Sequence, residues 1–354
     1  MALFAVLGAL DRIFGGRFGI GREFESGILT MGSLAMAMVG IVCLAPVLAA
    51  VLRPVVVPVF RLLGADAAMF AGAILACDMG GGALARELTQ NADAAALGGV
   101  ITGSMLGATV VFTIPVAMGI LDEGDRPAMA KGILCGIITI PVGVLVGGLV
   151  AGFSLAMVAQ NLIPIVILAA LIALGLWRAE KAMVRGFELF GKGVVAVSTA
   201  GLAAAIAQSL TGWTIIPGMA PIADGFQTVG SIAIVLAGAF PLVAILTRLL
   251  RKPLLAAGKY LGINDAAAAG LIASLANSIA TFGMVKDMNP RGKVVNIAFA
   301  VSAAFVFGDH LGFTAGFAPE LLPAVILGKL SGGVSAVLVA LLLTAKEGDS
   351  TKRS

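Results

Sequence analysis

Apolar residues fill this chain in runs of about 20 or more, divided by short clusters of charge, and the runs are too long for strands. Eight uninterrupted runs have the length to cross a bilayer as helices: Gly27 to Leu52, Ala94 to Leu121, Ala128 to Gly152, Ser154 to Trp177, Phe187 to Leu210, Phe226 to Leu246, Val294 to Phe317 and Leu321 to Leu343. Two further segments, Asp66 to Leu88 and Asn264 to Val285, are long enough but carry helix-breaking interiors. The first holds Cys77-Asp78-Met79-Gly80-Gly81-Gly82 and the second Asn277-Ser278, so both are expected to break at the middle. Met1 to Leu10 reads as a short first membrane helix, without the basic region and cleavage site of a secretory signal. Pro115, Pro141, Pro164 and Pro241 lie inside runs and predict kinks. The pattern predicts an all-α polytopic membrane protein of about nine to eleven helices, forming one domain over 1–354.

Displaced by 198 residues, the sequence matches itself without gaps. Gly32-Ser33 meets Gly230-Ser231, Ala35 meets Ala233, Arg61-Leu62-Leu63-Gly64 meets Lys259-Tyr260-Leu261-Gly262, Ala71-Gly72 meets Ala269-Gly270, and Ile74 meets Ile272. The two broken segments therefore hold the same place in two copies, about 27–152 and 226–343, joined by linking spans at about 154–210. Short cytoplasmic loops collect Lys and Arg. Arg178, Lys181 and Arg185; Arg248, Arg251, Lys252 and Lys259; Lys286, Arg291 and Lys293; and Lys346, Lys352 and Arg353 read as inside. The loops near Gly152, Thr211 to Gly225 and Ala318 to Glu320 lack such residues and read as outside. Basic loops on both sides of Asn264 to Val285 make it a re-entrant hairpin from the cytoplasmic face, and its counterpart then enters from outside. Five spans separate equivalent helices, so the repeats are inverted, an arrangement that places transporter sites near the midplane. Arg53, Arg61 and Arg86 run against this charge pattern, and the repeats become parallel if Asp66 to Leu88 crosses. Arg53 to Leu63 and Arg251 to Leu261, short and basic, read as interfacial helices.

Composition excludes the soluble classes. The 354 residues are 60% apolar and only 12% charged, with 47 glycines and a mean hydropathy of +1.08, whereas soluble domains carry about 25% charge. A net charge of +4 without a basic stripe gives no nucleic-acid signal. Cys43, Cys77 and Cys135 are odd in number and lie in apolar runs, which indicates neither a disulfide framework nor a metal site.

Chemistry concentrates on few residues. Asp78 and Asp309 are the carboxylates well inside apolar runs, where insertion costs about 2.5–3.5 kcal/mol each. Asp78 sits at a break beside Gly80 and Gly81, where freed backbone groups and a carboxylate suit a small cation with hydrogen-bond donors; it is equally placed to cap the second half-helix. Asn277 and Ser278, its counterparts, are suited to a hydroxyl or to closing their own turn. Asp309, His310 and Lys329 form a candidate polar cluster, either an architectural ion pair between Asp309 and Lys329 or a proton-coupling group around the single histidine. Thr102, Ser104, Thr109, Thr113, Gln160 and Asn161 read as interhelical glue.

Enzyme classes fare poorly, with no P-loop, paired-histidine zinc helix or nucleophile elbow. An intramembrane aspartyl protease built on Asp78 and Asp309 remains as an alternative, as does another small-cation secondary transporter. Neither aspartate carries the protease motifs: Cys77 precedes the first, and Val306-Phe307-Gly308 the second.

MVGIVCLAPVLA (Met38 to Ala49), MFAGAILACDMGG (Met69 to Gly81), TIPVG (Thr139 to Gly143), RGKVVNIAFAVSAAFVFGDHLGF (Arg291 to Phe313) and GKLSGG (Gly328 to Gly333) make nearly the whole chain resemble the ethanolamine utilisation membrane protein family of bacterial ethanolamine-degrading operons. The amino terminus is shorter than the family pattern. The resemblance implies a non-enzymatic permease of the bacterial cytoplasmic membrane that imports ethanolamine to feed ethanolamine ammonia-lyase in a microcompartment. Asp78, Asn277, Asp309, His310 and Lys329 fall on or beside the matching motifs. No cofactor is implied. Proton or sodium coupling and facilitated diffusion stay open, and Gly-rich apolar faces suit a homodimer.

Overall fold

The computed structural model describes residues 1–345, apart from the side chains at 250–252, 254, 255, 257 and 259, and within them the protein is helical without strands. Lys346, Lys352 and Arg353, read above as inside, lie outside the described residues, as do the side chains of Arg251, Lys252 and Lys259. Among the described residues six helices are long and apolar enough to cross a membrane. The chain runs through a short α1 (Ala2–Ile13), a long α2 (Ile20–Leu62), α3 (Ala68–Ile74) and α4 (Gly81–Leu88), then α5 (Ala92–Ile120), α6 (Arg126–Val150), α7 (Leu155–Thr211) and α8 (Ile222–Leu261). The last part holds α9 (Asp265–Ala276), α10 (Ser278–Met284), α11 (Pro290–Ala303), α12 (Asp309–Phe317) and α13 (Leu322–Leu343).

Side-chain caps start several of these helices. Asn91 accepts from the amides of Asp93 and Ala94 at the head of α5, Asn264 from Ala267 at α9, and Asn289 from Gly292 at α11. At 57 residues α7 would be about 85 Å long if straight, far beyond a bilayer. It bends instead at Ala179, whose φ of −143° is non-helical, so that a Cβ on Gly175 would lie 2.7 Å from Met183 Sδ. The two spans expected at Ser154 to Trp177 and Phe187 to Leu210 are its two legs.

Two expectations need correction. Arg53 to Leu63 and Arg251 to Leu261 form no separate helices: helix runs unbroken from Ile20 to Leu62 and from Ile222 to Leu261. Pro54, Pro58 and Pro253 sit inside these helices without ending them. The run Val294 to Phe317 is also not uninterrupted, because it breaks between α11 and α12. The Phe305 amide donates to the Ser274 carbonyl (3.0 Å) and Phe307 to Leu275 (2.9 Å), pulling residues 304–308 out of helix and onto the end of α9. Buried amides in an apolar environment must find acceptors, and the free carbonyls at a helix end supply them.

The two segments expected to break do so, at Leu75 to Gly80 and at Asn277. Each also returns to where it began. Thr89 Oγ1 donates to Asp66 Oδ2 at 2.8 Å, and Asn264 Nδ2 donates to the Asp287 carbonyl at 2.8 Å. The second pair stands at the positions of the first displaced by 198 residues. Replacing Thr89 by Val removes one partly buried hydrogen bond, so a loss of about 1 kcal/mol and a Tm lower by about 2 °C are expected from thermal unfolding in detergent.

Glycines set the helix contacts. In α5 the backbone is wound in wide i→i+5 turns over Ala96–Gly107 and Thr109–Thr113. Gly98 lies against the Ala68 carbonyl and Gly107 against that of Leu75, so α3 and the break after it rest directly on the α5 backbone. Gly132 and Gly136 of α6 meet Ile297 and Val301 in matching order, so α6 and α11 are parallel. Gly143 and Gly147 meet Gly328 and Ala324 in reverse order, so α13 is antiparallel to α6.

Candidate functional site

Asp78 stands on the single 3₁₀ turn Cys77–Met79 between α3 and α4. The sequence forces this shape: Leu75 and Ala76 are extended, Gly80 adopts φ +94°, and the Gly81 amide closes the turn on the Ala76 carbonyl at 2.9 Å. A side chain at Gly80 would be both strained and driven into Ile41 Cγ2. Gly80 and Gly81, expected to touch a solute, thus shape the turn and are absent from the cavity wall.

A cavity of about 590 Å³ opens beside Asp78. Asp309 and His310, at the start of α12, also line it, and His310 Nε2 lies 3.8 Å from Asp78 Oδ1. The break after α11 is what delivers α12's first residues to this point. Asp78 keeps 12% of its side chain exposed toward the cavity, whereas His310 is buried and its Nδ1 has no partner. Ser33 and Ala37 of α2, Ala108, Val111, Pro115 and Val116 of α5, and Gly191 and Val195 of α7 add to the wall. Glu188 and Lys192, paired at 2.6 Å and solvent-exposed, lie at its edge.

Lys329 is placed differently from the expected pair with Asp309. It is 1% exposed, and its ammonium donates to the Ser104 carbonyl in the distorted part of α5 at 2.5 Å. Among the described residues no ion pair within 4.0 Å joins it to Asp309. Lys329 does not line the cavity. Asn277 caps α10 by accepting from the Ile279 amide at 2.8 Å, and the Ser278 hydroxyl is fully buried without a partner. Neither lines the cavity, so the second break does not present its polar residues opposite Asp78 there. Two residues that sequence reasoning passed over do line it: Phe112 and Phe305, whose rings meet edge to face at 5.4 Å. Each lies within an apolar run and carries no local signal.

Asp78, Asp309 and Lys329 carry a formal charge of −1 between them. Cys77 Sγ, an Asp78 oxygen and a His310 nitrogen lie within 4.8 Å of one another, the spacing of a metal-binding group.

Two smaller cavities flank the central one. A cavity of about 550 Å³ is lined by Glu123, Arg126, Glu180, Lys181, Arg185 and Glu188, sharing Glu188 with the first. At the far end of α4 and α12 lies a cavity of about 330 Å³, bounded by Arg86, Thr89, Asn91, Phe317 and Glu320. Arg86 stacks on the Phe317 ring at 3.6 Å and donates to its carbonyl at 3.0 Å, and Phe313 stacks on Phe317 at 4.7 Å.

A family model described as "Ethanolamine utilisation protein, EutH" matches residues 1–343. The chain is 59% identical over 343 residues to a protein of Listeria monocytogenes named "Probable ethanolamine permease EutH", covering 97% of this chain and 92% of that one. It is 49% identical over 385 residues to an Escherichia coli protein of the same name, covering 98% and 94%. A Bacillus subtilis protein, "Uncharacterized protein YxeR", is 50% identical over 344 residues, covering 97% and 93%. No solved structure matches the chain.

Proposed function

Because the chain belongs to the ethanolamine utilisation protein EutH family, we propose that it carries ethanolamine, as the protonated amine, inward across the bacterial cytoplasmic membrane for catabolism. The observation that carries this reading is the meeting of Asp78 and Asp309 on one cavity whose remaining wall is mostly apolar. Holding two carboxylates in an apolar interior is costly unless a cation or a proton compensates them. A primary ammonium supplies both a charge and hydrogen-bond donors. The relatives named above as permeases agree with a transporter rather than an enzyme.

The segments 66–88 and 264–285 are re-entrant hairpins of two inverted repeats on this reading. Their closing hydrogen bonds, repeated at the same offset, support the first part. The second is supported by helix direction: α5 packs antiparallel to α6 through Ile101 on Gly147 and Leu97 on Gly148, while α6 is parallel to α11, so the equivalent α5 and α11 point opposite ways. The cavity faces the cytoplasm through the vestibule at Arg126, Lys181 and Arg185, on the side where basic loops gather. The Arg86–Phe317 contact closes the opposite side. Transport then alternates this closed side with the open one. A proton or sodium ion is the candidate coupling ion, and the chain works as a monomer or a homodimer.

Uptake of labelled ethanolamine by proteoliposomes of the purified chain tests the proposal. Saturable uptake above that of empty vesicles is expected, and uptake no greater than theirs overturns it. Imposed pH and sodium gradients on the same vesicles identify the coupling ion by the gradient that drives accumulation. The aspartyl protease alternative requires cleavage of an added membrane peptide without solute movement.

A further inference from the structure

Phe305 is the one non-glycine residue with positive φ among the described residues, at +62°. A bulky aromatic in the left-handed region is rare because its Cβ crowds the backbone, and such outliers gather where surrounding structure has a use for them. Here the amide of Phe305 is tied to the Ser274 carbonyl, and its ring is held between Phe112 at 5.4 Å and the His310 ring at 5.3 Å. All three rings line the cavity that also holds Asp78 and Asp309. Ring faces attract cations without demanding N–H donors, and the attraction is strongest where water is excluded.

We infer that Phe305 and Phe112 form an aromatic wall that holds the cationic head of the substrate, so that the cavity binds N-methylated amino alcohols as well as the primary amine. This rests on reading the cavity as the ethanolamine site and names the substrate class it accepts. A site built from directional acceptors rejects an analogue that lacks the matching donors, because its own polar groups are left unpaired. In this cavity the fixed elements are a net negative charge and ring faces, both of which a methylated ammonium satisfies. The volume of about 590 Å³ falls in the range of pockets for drug-sized ligands and leaves room for added methyl groups.

The test uses the full chain in proteoliposomes and in detergent. N,N-dimethylethanolamine and choline are expected to compete for labelled ethanolamine uptake with inhibition constants within about tenfold of the ethanolamine KM. Phe305→Leu, which keeps apolar bulk but removes the ring face, is expected to weaken choline binding by about tenfold, and Phe305→Tyr to retain it. Phe112→Leu gives the same direction without touching the strained backbone, so a folding defect at 305 leaves the test intact. Calorimetric titration of the purified chain with choline reads the wall separately from transport. Uptake of ethanolamine unaffected by choline in about 100-fold excess, with no heat of binding, overturns the wall and leaves the transport reading standing. Choline binding lost in both leucine variants, in a chain that moves no ethanolamine, upholds the wall and overturns transport.

Discussion

Asp78→Asn is expected to abolish saturable ethanolamine uptake, with the rate at low substrate falling by more than about 100-fold. The amide keeps the size of the carboxylate and its place on the Cys77–Met79 turn, so the hairpin and its packing on α5 are retained. What disappears is the charge. Without it Asp309 alone faces the cavity with the Lys329 ammonium behind the wall, a formal balance of zero, and an entering cation finds no compensation for the water it sheds. Removing one partner of a buried charge pair costs about 3–5 kcal/mol, which sets the scale of the effect. Asp309→Asn removes the same formal charge from a residue that lacks the His310 neighbour at 3.8 Å, and a smaller loss is expected. The decisive measurement is initial uptake rate against concentration in proteoliposomes, with membrane insertion and monodispersity checked in parallel. Saturable uptake by Asp78→Asn within about tenfold of wild type removes Asp78 from the substrate path.

Gly72→Val is expected to destroy the fold around the site rather than its chemistry. Gly72 lies on α3 where a Cβ would occupy the space of the Gly98 carbonyl and approach the Gly103 amide at 2.7 Å. Both obstacles are backbone and cannot swing aside. The helices would have to part, and with them the Leu75 carbonyl that lies against Gly107 and the Cys77 backbone that lies on Gly103. Overpacking of this kind against rigid neighbours exceeds the usual 1–3 kcal/mol, so the monodisperse fraction in size-exclusion chromatography is expected to collapse. Gly119→Ala is the control: it lies in α5, with no atom within 4 Å of its added Cβ, and is expected to be neutral. An intact, transporting Gly72→Val protein contradicts the close contact of α3 with α5.

The family motifs, the breaks at Cys77 to Gly82 and Asn277, and the isolation of Asp78 in apolar surroundings are legible because each is written in consecutive residues. The third break is not. Residues 304–308 hold no proline, and their departure from helix is set by the Ser274 and Leu275 carbonyls, some 30 positions earlier, accepting the amides of Phe305 and Phe307. Hydropathy averages over that break and reads a continuous span. The same long-range pairing explains why Phe305 was invisible as a wall residue.

Hydrophobic pattern and charge by themselves determined a helical, multi-pass membrane protein with two interrupted helices and two exceptional carboxylates, since transfer into lipid depends on the composition of each segment alone. Only the tertiary structure decided which polar groups meet. It brought Asp309 and His310 to Asp78, sent Lys329 to the Ser104 carbonyl, and turned Asn277 to its own helix. Those choices depend on which helix ends offer free carbonyls and where glycines let backbones touch, and neither is a property of any single segment.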